Sequence, residues 1–292
     1  MSNLAVRLRV SGGNLFLLKD AVLTEATRLF RQKDFEGAAE LYIQALEEGI
    51  QIRPERIEDT GDALCNKKYN PKAAYSLYMK SLEKSDELPF PAKISFVISR
   101  LCDDRNFDEA ANLLVTALEQ GSPIATQVIE YTCSDIGSRK GNNPRLAADL
   151  YMKVLEILED EEIKKIRPGS IGFVGRELCI KFKKDKLKDA LEIAASLYHA
   201  ALDKGIEMNN ESIQYLGSEL CTEVSPEEGA RLYEKALEKD VENINPGNIR
   251  YVIDALCGGN IEGAASLYKK ARDKGIQIRT ENKRAICKHL GE

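Results

Sequence analysis

Residues 211–240, ESIQYLGSELCTEVSPEEGARLYEKALEKD, and residues 248–275, NIRYVIDALCGGNIEGAASLYKKARDKG, are two copies of one pattern. In each copy a Leu-Cys pair is followed by a Leu-Tyr pair, and apolar or small residues recur every three or four positions around both pairs. This spacing is typical of amphipathic helices, in which such residues share one face. Each copy is therefore predicted to form two helices: an A helix that ends in Leu-Cys and a B helix that contains Leu-Tyr.

Both helices recur along the chain. The B-helix pair stands at Leu41-Tyr42, Leu77-Tyr78, Leu150-Tyr151, Leu197-Tyr198, Leu232-Tyr233 and Leu267-Tyr268, with Leu113-Leu114 as a variant copy. The A-helix pair stands at Leu64-Cys65, Leu101-Cys102, Leu178-Cys179, Leu220-Cys221 and Leu256-Cys257. Successive B-helix leucines are 36, 36, 37, 47, 35 and 35 residues apart. One such hairpin cannot bury its own apolar face, so the copies are predicted to stack.

The B helices also carry start signals. Seven residues before the leucine stand residues whose side chains accept a hydrogen bond from a free backbone N–H at a helix start: Asp34, Asn70, Asn106, Asn143, Ser225 and Asn260. The fifth copy lacks this cap. Its extra residues, KKDKLKDALEI (183–193), are predicted to lengthen the fifth B helix back towards Asp185, and EDEEIKKIR (159–167) to prolong the preceding B helix.

These patterns predict an all-α fold: a right-handed α-solenoid of about seven helix-turn-helix repeats with a period of 35–37 residues, plus a C-terminal capping helix from about Thr280 to Leu290. Residues 16–292 are expected to form a single repeat domain. Residues 1–15 alternate like a strand and are expected to form an N-terminal cap or a loose segment. The A-helix cysteines are predicted to pack as small apolar residues between helices.

The repeats resemble a known superfamily. Ala38, Tyr42 and Ala45 in DFEGAAELYIQALEEG match the second helix of tetratricopeptide repeats, and residues 120–156 resemble a Sel1-like repeat. The Leu-Cys pairs and the Lys-Gly-Ile after some B helices are similar to pentatricopeptide repeats. The resemblance covers about residues 19–290, although the chain has no Trp, which tetratricopeptide repeats carry. It implies a solenoid that binds a partner on a concave surface lined by A helices.

The composition of the chain argues against several classes of function. The formal charge of −5 removes the simplest argument for nucleic-acid binding. Seven cysteines without CxxC spacing predict neither a disulfide framework nor a metal site, so the chain is expected to be cytoplasmic. The only two histidines, His199 and His289, stand in separate repeats, and no phosphate-binding glycine loop or nucleophile elbow is present. No catalytic residue, cofactor or membrane span is predicted.

The hypothesis that follows is a protein-protein interaction scaffold, a monomer or weak oligomer, that binds a partner peptide or helix on the concave A-helix surface. The candidate contact residues are Phe96, Ser99, Glu130, Tyr131, Phe173, Arg176, Gln214, Tyr215, Ser218, Arg250, Tyr251 and Asp254. Rings beside charges suit such a groove, because rings supply rigid contact area. An alternative interpretation stays open, in which the rings only pack between adjacent repeats.

A second function class is a single-stranded RNA-binding protein of the pentatricopeptide type. That family reads a base with the residue six before the Cys, usually Thr, Ser or Asn, whereas this chain has aromatic rings there in most copies. Rings stack on bases without sequence choice. One basic cluster, Lys181, Lys183, Lys184, Lys186 and Lys188, lies in the irregular fifth repeat. It is interpreted either as a solvated helix face or as a contact for an acidic partner or a membrane surface.

Overall fold

The computed structural model describes residues 15–66, 70–85, 87, 89–138, 140–187 and 189–291, with side chains from Asp20 onward. The helices in the first part of the chain are α1 (Leu15–Arg31), α2 (Phe35–Glu47), α3 (Pro54–Cys65), α4 (Pro71–Lys84), α5 (Pro91–Asp103), α6 (Phe107–Glu119), α7 (Thr126–Gly137) and α8 (Pro144–Ile157). They are followed by α9 (Asp160–Ile163), α10 (Pro168–Asp185), α11 (Asp189–Asp203), α12 (Asn210–Glu223), α13 (Pro226–Glu238), α14 (Pro246–Leu256), α15 (Ile261–Asp273) and α16 (Lys283–Leu290).

The predicted all-α repeat fold is confirmed: the described residues form helices and contain no strand. The A helices are α1, α3, α5, α7, α10, α12, α14 and the terminal α16, and the B helices are α2, α4, α6, α8, α11, α13 and α15. The chain divides into two compact units, Met1–Val128 and Ile129–Glu292. The expected N-terminal cap, residues 1–15, lies outside the described residues except for the start of α1 at Leu15.

In each unit, A helices pack on A helices and B helices on B helices. Helix α3 contacts α5 in the N-terminal unit, while α10 contacts α12 and α12 contacts α14 in the C-terminal unit. The B helices pack in the same way, as in α2 with α4 and α13 with α15. Stability is therefore built from the hairpins and the interfaces between neighbouring hairpins.

The A and B helices of one hairpin meet at a glycine. The B-helix tyrosines are buried, and Tyr233 lies against Gly217 of α12. A Cβ atom at Gly217 would lie 2.6 Å from Cε2 of Tyr233, so only glycine leaves room for the ring. The Tyr233 hydroxyl donates a hydrogen bond to the Gln214 carbonyl oxygen over 3.2 Å, which satisfies the polar end of this largely buried ring.

The predicted B-helix starts are confirmed in five of the six cases. The side chains of Asp34, Asn70, Asn143, Ser225 and Asn260 each accept a hydrogen bond from a backbone N–H in the first turn. Asn106 precedes α6 in the same way but makes no such bond. At the other end, Gly205 has φ +77°, and the next residue, Ile206, donates its N–H to the Ala201 carbonyl oxygen. This left-handed closure explains the Lys-Gly-Ile sequence after the fifth B helix.

The two predictions about the irregular fifth repeat are right only in small part. Helix α11 begins at Asp189, eight residues before its leucine instead of the usual six, but it does not reach Asp185, and most of the extra residues lengthen the A helix α10, because Phe182 continues its buried face. Helix α10 ends at Asp185, and the next residue, Lys186, has a left-handed φ of +57°. The acidic insertion does not prolong α8, which ends at Ile157; it forms the separate short helix α9, whose Ile163 is buried.

The A-helix cysteines occupy the predicted packing positions. None of the seven cysteines forms a disulfide; five are buried and two, Cys257 and Cys287, are half-buried. Burial raises the pKa of the Cys65 and Cys179 thiols to about 12. Such thiols stay protonated and behave as small apolar side chains.

Candidate partner-binding surface

The C-terminal unit carries a surface of arginines and rings on three adjacent A helices. We call this surface, formed by Phe173 and Arg176 on α10, Tyr215 on α12, and Arg250 and Tyr251 on α14, the A-face. Arg176, Tyr215, Arg250 and Tyr251 are exposed, and Phe173 is half-buried. Because α12 packs between α10 and α14, these side chains belong to one continuous surface.

Tyr215 links α12 to α10 without being buried. Its ring lies 5.1 Å from the Lys183 ammonium, and Lys183 in turn pairs with Glu219 at 2.7 Å. The hydrogen bonds to Glu219 and Tyr215 raise the pKa of Lys183. The Tyr215 side chain is still 38% exposed. This ring therefore contacts the neighbouring repeat, and part of its surface remains exposed to solvent.

Tyr251 has the same character one repeat later. Its hydroxyl lies 3.2 Å from Oγ1 of Thr222 on α12, yet 49% of the residue is exposed. In α7, Tyr131 is 42% exposed. In the N-terminal unit, Phe96 is half-buried with the Arg100 guanidinium 5.2 Å from its ring centroid. Among the rings within the described A helices, the exposed ones therefore lie on α7, α12 and α14, while Phe90, the residue before α5, is 69% exposed in the N-terminal unit.

Glu130 does not face a partner. Although it was predicted as a groove residue, it is only 3% exposed, and its carboxylate binds the segment that leads into the next A helix. It accepts hydrogen bonds from the Arg167 backbone N–H at 2.5 Å and from the Arg167 Nε at 2.7 Å. Since Arg167 is the residue before α10, Glu130 caps that helix from the preceding repeat.

Glu58 repeats this arrangement in the N-terminal unit, where it accepts the Phe90 backbone N–H at 2.8 Å at the start of α5. Glu58 stands seven residues before Cys65, and Glu130 stands at the corresponding position of α7. The sequence pattern predicted that A-helix residues at this position contact a partner. One feature of the sequence does indicate the capping role of these glutamates. The A helix that follows each of them begins with a proline, and the backbone N–H that the glutamate binds belongs to the residue before that proline, as in Phe90-Pro91 and Arg167-Pro168.

The other polar candidates also make internal contacts. Gln214 accepts a hydrogen bond from Asn248 at 3.0 Å, and Asp254 accepts from Thr280 and from Asn282 before α16. Ser99 donates to the Ser95 carbonyl oxygen at 3.0 Å, and Ser218 is half-buried. Of the predicted polar contacts, Arg176 and Arg250 remain the most available, because Arg176 has no ion-pair partner among the described residues and Arg250 only approaches Asp254 at 3.9 Å.

The B helices present a different charged surface. A lysine three residues after the B-helix leucine pairs with an acidic residue six after the leucine of the preceding repeat: Lys80 with Glu47 at 3.6 Å, Lys235 with Asp203, and Lys270 with Glu238 at 2.6 Å. We call these pairs the B-helix ladder. These recurrent charges of the B helices are therefore explained by contacts between neighbouring repeats.

Two further kinds of site are not found in the described part of the chain. No three His, Cys, Asp or Glu side chains there are placed to hold a metal ion. No described helix combines the length and the hydropathy needed to cross a membrane. His199 is half-buried on α11, where burial and the nearby Lys235 lower the pKa of its ring.

No model of a known protein family matches the chain, and no curated protein matches it. One similar solved structure is described as a "circular tandem repeat protein with novel repeat topology and enhanced subunit contact surfaces". It is 14% identical, and the alignment covers 88% of this chain and 72% of that protein with a TM-score of 0.36. Function is therefore inferred from the residues of the described surfaces.

Proposed function

We propose that the protein is a non-catalytic interaction scaffold whose A-face binds a peptide or helix of a partner protein. The observation that carries the proposal is the exposure of Arg176 and Arg250 beside the exposed rings of Tyr215 and Tyr251. Arginine and tyrosine are the residue types that contribute most at protein interfaces. Neighbouring polar residues are bonded within the fold, which leaves the arginines and rings as the available contacts.

The chemistry of the A-face specifies the partner segment. An arginine guanidinium binds a carboxylate through two parallel hydrogen bonds, and a tyrosine ring supplies rigid contact area at low entropy cost. A segment that carries acidic residues beside an apolar side chain matches both. We further propose that the repeats are of the tetratricopeptide or Sel1-like type, which the Ala and Tyr positions of the B helices resemble, and that the protein acts in the cytoplasm, where free cysteines are usual.

RNA binding is less well supported by the same surface. One face of Tyr215 already contacts the Lys183 ammonium, and Lys183 is neutralised by Glu219. The formal charge of the chain is −5. A phosphate-binding protein needs a cationic surface, and its affinity falls steeply with salt.

The test compares two double charge reversals. Arg176→Glu with Arg250→Glu changes the A-face, and Lys239→Glu with Lys269→Glu makes the same change in net charge at exposed positions of the B-helix side. Each immobilised protein is used to capture proteins from native lysate, and a mixed-sequence RNA is titrated at several salt concentrations. We expect the A-face variant alone to lose partners that wild type captures. Retention of every partner by that variant, or salt-sensitive RNA binding that it abolishes, would refute the proposal.

A further inference from the structure

The fifth repeat departs from the others at the end of α10. Helices α3, α5, α12 and α14 end at or within two residues of their Leu-Cys pair, whereas α10 continues six residues beyond Cys179 to Asp185. We call Ile180–Leu187 the α10 extension. It presents two large apolar side chains to solvent, Ile180 at 46% exposure and Leu187 at 48%. Packing within the fold accounts for Phe182, which is buried, but not for these two side chains.

A cleft lies beside the α10 extension. It has a volume of about 540 Å³ and is lined by Ser138, Asn142 and Pro144 on one side and by Glu177, Ile180, Lys181 and Lys184 on the other. This volume falls within the range of about 300–1,000 Å³ that is usual for binding clefts.

Lysines outnumber carboxylates around the cleft, where Lys181, Lys184 and Lys186 stand beside Glu177 and Asp185. Lys184 is exposed and has no ion-pair partner among the described residues, whereas Lys181 pairs with Asp185 at 3.0 Å. Lys186 lies near the Phe182 ring, 5.7 Å from its centroid, at the end of the helix. The rim therefore offers at least one lysine for a carboxylate beside exposed apolar surface.

We propose that the α10 extension and its cleft form a second docking site, which takes an acidic segment of a partner protein with a leucine-like side chain at its centre. The apolar side chain would enter the cleft against Ile180, and neighbouring carboxylates would meet Lys184 and Lys181. Exposed apolar side chains beside a cleft are typical of interaction sites, and complementary charge gives such sites their specificity.

A protein segment fits this site better than the other occupants. A membrane surface is matched by a helix with a broad apolar face, whereas here Ile180 lines a cleft between two elements of the fold, which suits a single side chain. If a second copy of the chain bound through the same site, its lysines would face the lysines of the first copy. A segment with carboxylates around one apolar side chain matches both Ile180 and the lysines that line the cleft.

The cleft and the A-face share helix α10, where Arg176 stands four residues before Ile180 and therefore next to it on the helix surface. Arg250 lies on α14, with α12 between it and α10. Arg250→Glu therefore changes the A-face without changing the charge at the cleft, and Ile180→Ser and Lys184→Glu change the cleft.

The experiment uses a displayed library of 16-residue peptides in which a central leucine is fixed and Glu, Asp and other residues vary around it. Peptides selected on the full chain are measured by fluorescence anisotropy against wild type, Ile180→Ser, Lys184→Glu and the A-face variant Arg250→Glu. We expect acidic peptides to be selected, to lose about tenfold or more in affinity with Ile180→Ser and with Lys184→Glu, and to bind Arg250→Glu as they bind wild type. Lys239→Glu is the control for a distant charge reversal.

Four results would overturn the proposal. They are failure of the library to enrich any peptide, binding that both site variants leave unchanged, binding to anionic lipid vesicles that Lys184→Glu abolishes, and a dimer in sedimentation that Ile180→Ser dissociates. Circular dichroism of each variant verifies the fold, which these exposed positions are not expected to disturb.

Discussion

The two helical surfaces of the C-terminal unit use charge in opposite ways. On the B helices, Lys235 and Lys270 pair with acidic residues of the preceding repeat, and the same pairing holds Lys80 to Glu47 in the N-terminal unit. On the A-face, Arg176 and Arg250 have no strong partner within the described residues. The recurrent B-helix charges in these pairs thus contact the adjacent repeat, whereas the two A-face arginines are available for another molecule.

The same distinction applies to the tyrosines. Tyr233 of the B helix recurs in nearly every repeat and is buried, whereas Tyr215 of the A helix is 38% exposed. Both rings contact a neighbouring helix. Only the Tyr233 ring fills the space inside its own hairpin, against Gly217. Because rings recur at both positions, burial rather than recurrence distinguishes the structural ring from the candidate for binding.

The largest expected change in the free energy of unfolding distinguishes Tyr233 from Tyr215. Tyr233→Ala is expected to lower the free energy of unfolding by about 3–5 kcal/mol, because it leaves a cavity at the centre of the hairpin. Tyr215→Ala is expected to cost about 1 kcal/mol or less, since it removes a half-exposed ring and one cation-π contact. Urea unfolding followed by circular dichroism measures both. A loss of similar size in the two variants would mean that Tyr215 is a packing residue rather than a partner contact.

The sequence was sufficient for the elements that the repeat dictates. Periodic Leu-Tyr and Leu-Cys pairs predicted the helices, and five of six N-cap residues make the expected bond. It was not sufficient where the period breaks. Lengthening α10 or α11 gives the same 47-residue spacing, and only the burial of Phe182 on α10 decides between them. Likewise, the sequence shows only that Glu130 is charged. Its role depends on the position of Arg167, which is set by the segment before α10.

An intermediate effect is expected for Glu130, a residue of the A helices that acts within the fold. Glu130→Ala removes the acceptor of the Arg167 N–H at the start of α10 and is expected to cost about 1–3 kcal/mol of unfolding free energy. Glu211→Ala, at an exposed position in the first turn of α12, is the matched control and is expected to cost well under that. If the two variants unfold with the same free energy, Glu130 does not stabilise the start of α10 and is again a candidate partner contact.

The smallest expected effect concerns the B-helix ladder. Glu238→Gln removes one carboxylate that binds Lys270, and because both groups are partly exposed we expect a loss of about 0–1 kcal/mol at neutral pH, with unchanged partner capture. The hydrogen bond from Lys270 lowers the pKa of Glu238 below its ordinary value of 4.5, so its contribution is present above that pH and is lost as the pH falls through the lowered value. The unfolding free energies of wild type and variant should therefore converge in acid and in high salt. A loss of partner capture in this variant would contradict the contrast between the surfaces, because it would place binding on the B helices.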